Sequence, residues 1–61
     1  MAVEEHLLYV RWTQAELLER QRKQFYEVVK NKRGENDVLT KDAKAKWEEA
    51  RREYEAVVSQ L

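Results

Sequence analysis

Apolar residues recur every seven positions in the last third of the chain. Two interleaved rows share this repeat: Ala43, Ala50 and Val57, and Trp47, Tyr54 and Leu61. Alternating steps of three and four place both rows along one edge of a helix. The pattern therefore predicts an amphipathic helix over about residues 40–61, whose apolar edge must pack against another helix.

The residues before position 33 predict a longer helix with two apolar faces. At 100° per residue, the wider face holds Val3, Leu7, Val10, Leu17, Leu18, Phe25, Val28 and Val29, interrupted by Arg11, Gln14, Gln21 and Arg22. A narrower face, about a quarter turn away, holds Leu8, Trp12, Ala15 and Tyr26. We expect the wider face to pack within the chain, which leaves the narrower one for another molecule.

A polar run over residues 31–37 separates the two patterns and contains Gly34, the only glycine in a chain without proline. Glycine fits the left-handed position just after a helix. The second helix is expected to begin with Thr40 as its N-cap, and a start at Asn36 or Asp37 is the competing interpretation. The prediction is all-α: one domain over residues 1–61, an antiparallel hairpin with a helix at about 3–32, a turn at about 33–39 and a helix at about 40–61.

The predicted helices differ in length. The second helix spans roughly 31 Å and covers the first over about residues 12–32. In this arrangement Phe25 would meet the turn of helix formed by residues 43–47. Residues 3–12, the most apolar part of the chain, would project beyond the end of the second helix.

Size and composition point to self-association. A chain of 61 residues buries only about 60% of its unfolded surface. Small domains usually add disulfides, a metal or a second chain, and this chain has no cysteine and a single histidine. We therefore expect a homodimer that resembles a four-helix bundle.

A strand at the N-terminus is the alternative to a continuous first helix. Residues 6–12 have good strand propensity, and Thr13-Gln14-Ala15-Glu16 matches a capping box. The order strand, helix, Gly34-Glu35-Asn36, helix resembles that of ribbon-helix-helix repressors, which implies a nucleic-acid-binding dimer. Without the strand, the hairpin dimer resembles in architecture the small plasmid RNA-binding four-helix dimers.

Catalytic motifs are absent from the sequence. Ser59 is the only serine, His6 lies far from it along the chain, and no phosphate-binding loop or His-Glu-x-x-His pattern occurs. Twelve basic residues balance twelve acidic ones. The composition favours a cytoplasmic protein that is not an enzyme, binds no cofactor or metal and does not span a membrane.

The function expected from these patterns is that of a small regulatory or adaptor protein. It would homodimerise, bind another protein through its apolar N-terminal segment and modulate that partner. The contact residues predicted for the dimer or the partner are Leu7, Leu8, Tyr9, Arg11, Trp12 and Tyr26. Nucleic-acid binding ranks second, through basic residues near the turn: Lys30, Lys32, Arg33, Lys41 and Lys44.

Overall fold

The chain folds into two antiparallel helices, α1 (Val3–Arg33) and α2 (Val38–Val58). A computed structural model describes residues 3–60, with side chains over residues 6–60, as a rod of 47 × 14 × 11 Å. The predicted all-α hairpin is confirmed. The positions predicted for the Val3 and Leu61 side chains lie outside the described residues.

The alternative with an N-terminal strand is wrong, because residues 6–12 belong to α1. Thr13 does not cap a helix. Its hydroxyl donates a hydrogen bond of 2.9 Å to the carbonyl of Tyr9, one turn earlier in the same helix. The resemblance to ribbon-helix-helix repressors needed that strand and is lost with it.

The turn between the helices uses one glycine and one aspartate. Gly34 has a φ of +87°, and its N–H donates to the carbonyl of Lys30 at 2.8 Å, which ends α1 as predicted. Asp37 is the N-cap of α2, and its carboxylate accepts the N–H of Leu39 at 2.9 Å. The helix therefore begins earlier than the expected start at Thr40, as in the competing interpretation.

The core lies along the predicted seam of α2. Its buried residues are Thr40, Ala43, Ala50 and Val57, with Trp47 and Tyr54 half-buried between them. The two alanines let the helix axes approach closely beside the bulky indole. None of the described side chains of α1 is buried to the same degree.

The face of α1 that meets α2 is not the one predicted. Tyr26 stacks on Trp47, with ring centroids 5.5 Å apart and planes at 22°. Phe25, the expected core residue, is 57% exposed. Trp47 also needs an acceptor for its indole N–H and finds the carboxylate of Glu19. Tyr26, which stacks on Trp47, lies on the narrower face, and Glu19, which accepts its hydrogen bond, lies beside that face. These two contacts therefore determine that the narrower face of α1 packs against α2.

Candidate interaction surface

Most of the wider apolar face of α1 is uncovered in the hairpin. Its edge toward α2 is the exception: Val29 is half-buried there, and Leu18 lines grooves with Ala50 and Val57 of α2. We call this face the outer stripe and define it by eight residues: Leu7, Val10, Gln14, Leu17, Leu18, Gln21, Phe25 and Val28. Leu17 is 56% exposed, and Leu7, Phe25 and Val28 are similarly open. Val10 and Leu18 are half-buried. The result is a band of apolar side chains along most of α1, crossed by two exposed glutamines.

The helical periodicity explains why one hairpin cannot cover this band. The residues of α1 that meet α2 centre on Tyr26, and the outer stripe centres roughly 130° away around the helix. A single neighbouring helix covers about one such face. Because α2 occupies the side of Tyr26 and Glu19, the outer stripe stays accessible.

The N-terminal part of α1 extends beyond α2. The helices have 31 and 21 residues, so α1 is longer by roughly 15 Å. Gln60, just after α2, lines an open groove together with Arg11. We call residues 3–10, which lie past this point, the N-terminal segment. The sequence predicted this overhang over residues 3–12. In the structure it is slightly shorter and covers residues 3–10.

Two aromatic rings meet at the base of the N-terminal segment. Tyr9 is 60% exposed, and its ring centroid lies 5.7 Å from that of the half-buried Trp12. Leu8 is half-buried, whereas Leu7 and Arg11 are exposed. Five of the six predicted contact residues therefore lie together within residues 7–12.

Tyr26, the sixth predicted contact residue, lies elsewhere. Its ring packs between the two helices against Trp47, and the Lys30 ammonium lies 5.9 Å from the ring centroid. Conversely, sequence reasoning assigned Leu17, Phe25 and Val28 to the core and so missed their exposure. The two glutamines on the same face were the available signal, because exposed amides are more typical of a surface than of a small core.

Acidic residues of the turn pair with two of the predicted nucleic-acid contacts. The Lys30 ammonium lies 3.0 Å from the Glu35 carboxylate, and the Arg33 guanidinium lies 3.3 Å from the Asp37 carboxylate. The hydrogen bond from Lys30 lowers the pKa of Glu35, and the same bond raises the pKa of Lys30. Both basic groups are therefore partly neutralised at the closed end of the hairpin.

The remaining predicted nucleic-acid contacts do not form a uniform basic patch. Lys41 and Lys44 line a shallow hollow together with Glu35 and Asn36, and Lys32 is exposed on α1. Carboxylates interspersed among basic groups weaken the attraction for phosphate. The structure brings these lysines near one another, but it adds acidic neighbours to them.

Within the part of the chain that the structure describes, neither a metal centre nor a membrane span is found. Among the described residues, no group of three His, Asp or Glu side chains is arranged to hold a metal ion. Over residues 3–60, neither helix combines the length and apolar character that crossing a bilayer requires.

Comparisons with protein-family models, with curated proteins and with solved structures give no match. Function is therefore inferred from the surfaces of the hairpin.

Proposed function

We propose that this chain is a small, non-enzymatic regulatory or adaptor protein that homodimerises and binds another protein. The observation that carries the proposal is an imbalance between core and surface. Only three apolar side chains are buried among the described residues, and they are small: Ala43, Ala50 and Val57. Eight large hydrophobic side chains in the same range are exposed. A core of this size leaves a lone hairpin marginally stable.

The accessible surface supports a second subunit of ordinary size. The hairpin exposes 5068 Å² at a mass of 7.4 kDa, whereas a compact monomer of that mass exposes about 4,200 Å². The excess of roughly 900 Å² is close to the ~800 Å² that each partner buries in a standard interface. A dimer would bring the exposed area per chain back to the usual range.

Two separate surfaces would serve the two kinds of contact. The outer stripe is the longest apolar band and suits pairing between copies of this chain. Tyr9 lies roughly 130° around α1 from the centre of that stripe, so dimerisation leaves its ring accessible. Tyrosine and tryptophan are frequent anchors of protein interfaces. We therefore assign two residues to contacts with the partner protein: Tyr9 in the N-terminal segment and Trp12 at its base.

Sedimentation equilibrium between about 1 and 200 µM tests the assembly, because dimerisation at ordinary interface size falls within micromolar affinities. The wild-type chain is expected to sediment as a dimer. Leu17→Glu combined with Phe25→Glu should give a monomer that retains helical circular dichroism. Val38→Ser is the matched control, since Val38 is the most exposed apolar side chain but lies outside the outer stripe. A wild-type monomer at every concentration would refute the proposal.

Partner binding is tested separately with the dimer intact. Pull-downs from extract of the source cells would compare the wild-type chain with Tyr9→Ser and with Gln24→Ser, a change at another exposed position of α1. The proposal expects a partner that is retained by the wild type and the Gln24 variant and lost by the Tyr9 variant. Identical captured proteins from all three chains would contradict the assignment of Tyr9.

A further inference from the structure

The outer stripe has the same pattern in both directions along α1. Its eight positions follow one another at steps of 3, 4, 3, 1, 3, 4 and 3. The pattern pairs positions whose numbers add up to 35: Leu7 with Val28, Val10 with Phe25, Gln14 with Gln21, and Leu17 with Leu18. Each apolar residue is thus matched with an apolar residue, and each glutamine with a glutamine.

We propose that a second copy of this chain packs antiparallel on the outer stripe, with a twofold axis between Leu17 and Leu18. This inference rests on the proposed homodimer and specifies its face, direction and register. A twofold axis perpendicular to two antiparallel helices maps each residue onto the same residue of the other copy. When it passes between positions 17 and 18, it places Leu17 of one copy opposite Leu18 of the other, and every other position opposite its counterpart in the pattern. The symmetric order of the stripe is what such a self-complementary interface requires.

The side-chain directions follow from the same axis, because two positions whose numbers add up to 35 lie symmetrically about one line of a helical wheel. On a helical wheel where each residue lies at 100° times its number, the midline of the stripe is at roughly 310°. Leu7 lies roughly 30° to one side of this midline and Val28 roughly 30° to the other. Val10 and Phe25 are placed in the same way, and Leu17 and Leu18 lie roughly 50° on either side. Matched residues therefore approach the interface from opposite sides of the midline. This arrangement lets them interdigitate instead of colliding.

Charge favours the antiparallel direction over a parallel one. The half of α1 before the proposed axis carries three glutamates and one arginine. The half after the axis carries six lysines and arginines against two glutamates. Lys30 and Arg33 pair with acidic residues of the turn, and Arg20 pairs with Glu16, which reduces the difference between the halves without reversing its sign. Antiparallel packing places the acidic half of each copy beside the basic half of the other, whereas parallel packing would bring the two basic halves together.

The glutamines set the register. In the proposed alignment, Gln14 of each copy lies opposite Gln21 of the other, so the two amides can bond to each other. A shift of one helical turn would place these amides against leucine, phenylalanine or valine side chains and leave them without partners. Polar layers of this kind specify the alignment of paired helices at a cost in stability.

Disulfide trapping tests the alignment directly, because the chain has no cysteine of its own. Gln14→Cys and Gln21→Cys change exposed positions and are compatible with folding. In the proposed dimer, position 14 of one copy is seven residues along the axis from position 14 of the other, roughly 10 Å. This exceeds the ~7 Å Cα separation that a disulfide spans. Mild oxidation of either variant alone should therefore leave it reduced.

An equimolar mixture of the two variants should give a disulfide-linked pair of one Gln14→Cys chain and one Gln21→Cys chain. A mass tag on one variant distinguishes this mixed pair from self-linked pairs. Ala45→Cys, on an exposed position of α2, mixed with either variant is the control and should remain unlinked. Circular dichroism verifies that each variant stays helical.

The outcomes separate this inference from the proposed homodimer. Self-linking of either variant within a dimer indicates parallel or shifted packing and overturns the alignment only. A dimer that gives no linked pairs shows that another face or another register is used and overturns it as well. A wild-type monomer removes both proposals. Pulsed dipolar spectroscopy with a spin label on His6→Cys gives a second measurement: roughly 34 Å of axial separation is expected, against a helix diameter of about 10 Å for parallel packing.

Discussion

The indole Nε1 of Trp47 donates a hydrogen bond of 2.9 Å to the carboxylate of Glu19, joining α2 to α1. The two residues are 28 positions apart, and the bond is partly buried. Together with the stacking of Tyr26 on the same indole, it fixes which face of α1 packs against α2. Trp47 therefore acts as the main specificity element of the hairpin.

Removal of this bond is expected to destabilise the hairpin. Glu19→Ala should lower the free energy of unfolding by about 1–2 kcal/mol, because the indole N–H loses a charged acceptor. Glu19→Gln retains an amide oxygen as acceptor and should cost less than half as much. Urea unfolding followed by Trp47 fluorescence, in a Trp12→Phe background, measures both. Glu48→Ala, at an exposed position of α2, is the control. Equal losses for the Ala and Gln variants of Glu19 would contradict this role.

Adjacent aromatic residues of α1 should respond in opposite ways to truncation. Tyr26→Ala removes the ring that stacks on Trp47 and should destabilise the monomeric hairpin by about 2–3 kcal/mol. Phe25→Ala should have little effect on the monomer, because that ring is exposed there, but should weaken self-association at least tenfold.

Two measurements separate these effects. Unfolding at a concentration well below the dissociation constant reports the stability of the monomer, and sedimentation equilibrium reports association. If Phe25→Ala destabilises the dilute chain as strongly as Tyr26→Ala, the wider face contributes to the fold of the monomer after all.

The local features of the fold could be predicted from sequence. The seven-residue repeat of α2 identifies Ala43, Ala50 and Val57 as core residues because only one edge of that helix is apolar. The end of α1 follows from Gly34, since no other residue of the turn tolerates a left-handed backbone as readily. Both features depend on residues close together in the chain.

The packing of α1 could not be predicted in the same way, because this helix has two apolar faces. The wider face has more apolar residues, and counting them favours Phe25 as core. The hairpin uses the narrower face because Trp47 finds both an aromatic ring and a hydrogen-bond acceptor there. Such specific pairing depends on the relative rotation of the helices, which periodicity alone does not contain.

Thr40 offers a way to stabilise the chain. Its side chain is 1% exposed, and its hydroxyl has no hydrogen-bond partner among the described residues. Thr40→Val keeps the shape and removes the unsatisfied hydroxyl, so it should raise the free energy of unfolding by about 1 kcal/mol. Thr40→Ser, which keeps the hydroxyl and loses the methyl group, should lower it. Chemical unfolding of the three chains gives the order, and a less stable valine variant would show that the hydroxyl is satisfied.

Gly34 should be sensitive to substitution for conformational reasons alone. A Cβ added at this position would meet no heavy atom within 4 Å, but the φ of +87° is unfavourable for L-residues. Gly34→Ala should therefore cost about 1–2 kcal/mol of stability. Gly34→Asn should cost less, because asparagine tolerates the left-handed region better. Thermal unfolding of the three chains tests this order, and an alanine variant as stable as the wild type would contradict it.

The ion pair of Lys30 and Glu35 should give the turn a weak pH dependence. The pKa of Glu35 is lowered, chiefly by the hydrogen bond from Lys30, so its contribution to stability exists above the unfolded value of 4.5 and disappears as the pH falls through the folded pKa. The pKa of Lys30 is raised, chiefly by the same bond, so its contribution exists below 10.5 and disappears as the pH rises through the folded pKa. The ion pair should therefore contribute fully to the stability of the folded chain between pH 4.5 and pH 10.5.

Glu35→Gln should lower Tm slightly at about pH 7. This loss should shrink as the pH falls through the folded pKa of Glu35 and as it rises through the folded pKa of Lys30, because one partner then loses its charge. The effect is small because both groups are exposed, and it should shrink further in about 1 M salt. Glu48→Gln, on the exposed side of α2, is the control for a general charge effect. A loss that stays the same size from about pH 7 down to pH values below the folded pKa of Glu35 would mean that Glu35 stabilises the turn through its shape and not through the charge that Lys30 pairs with.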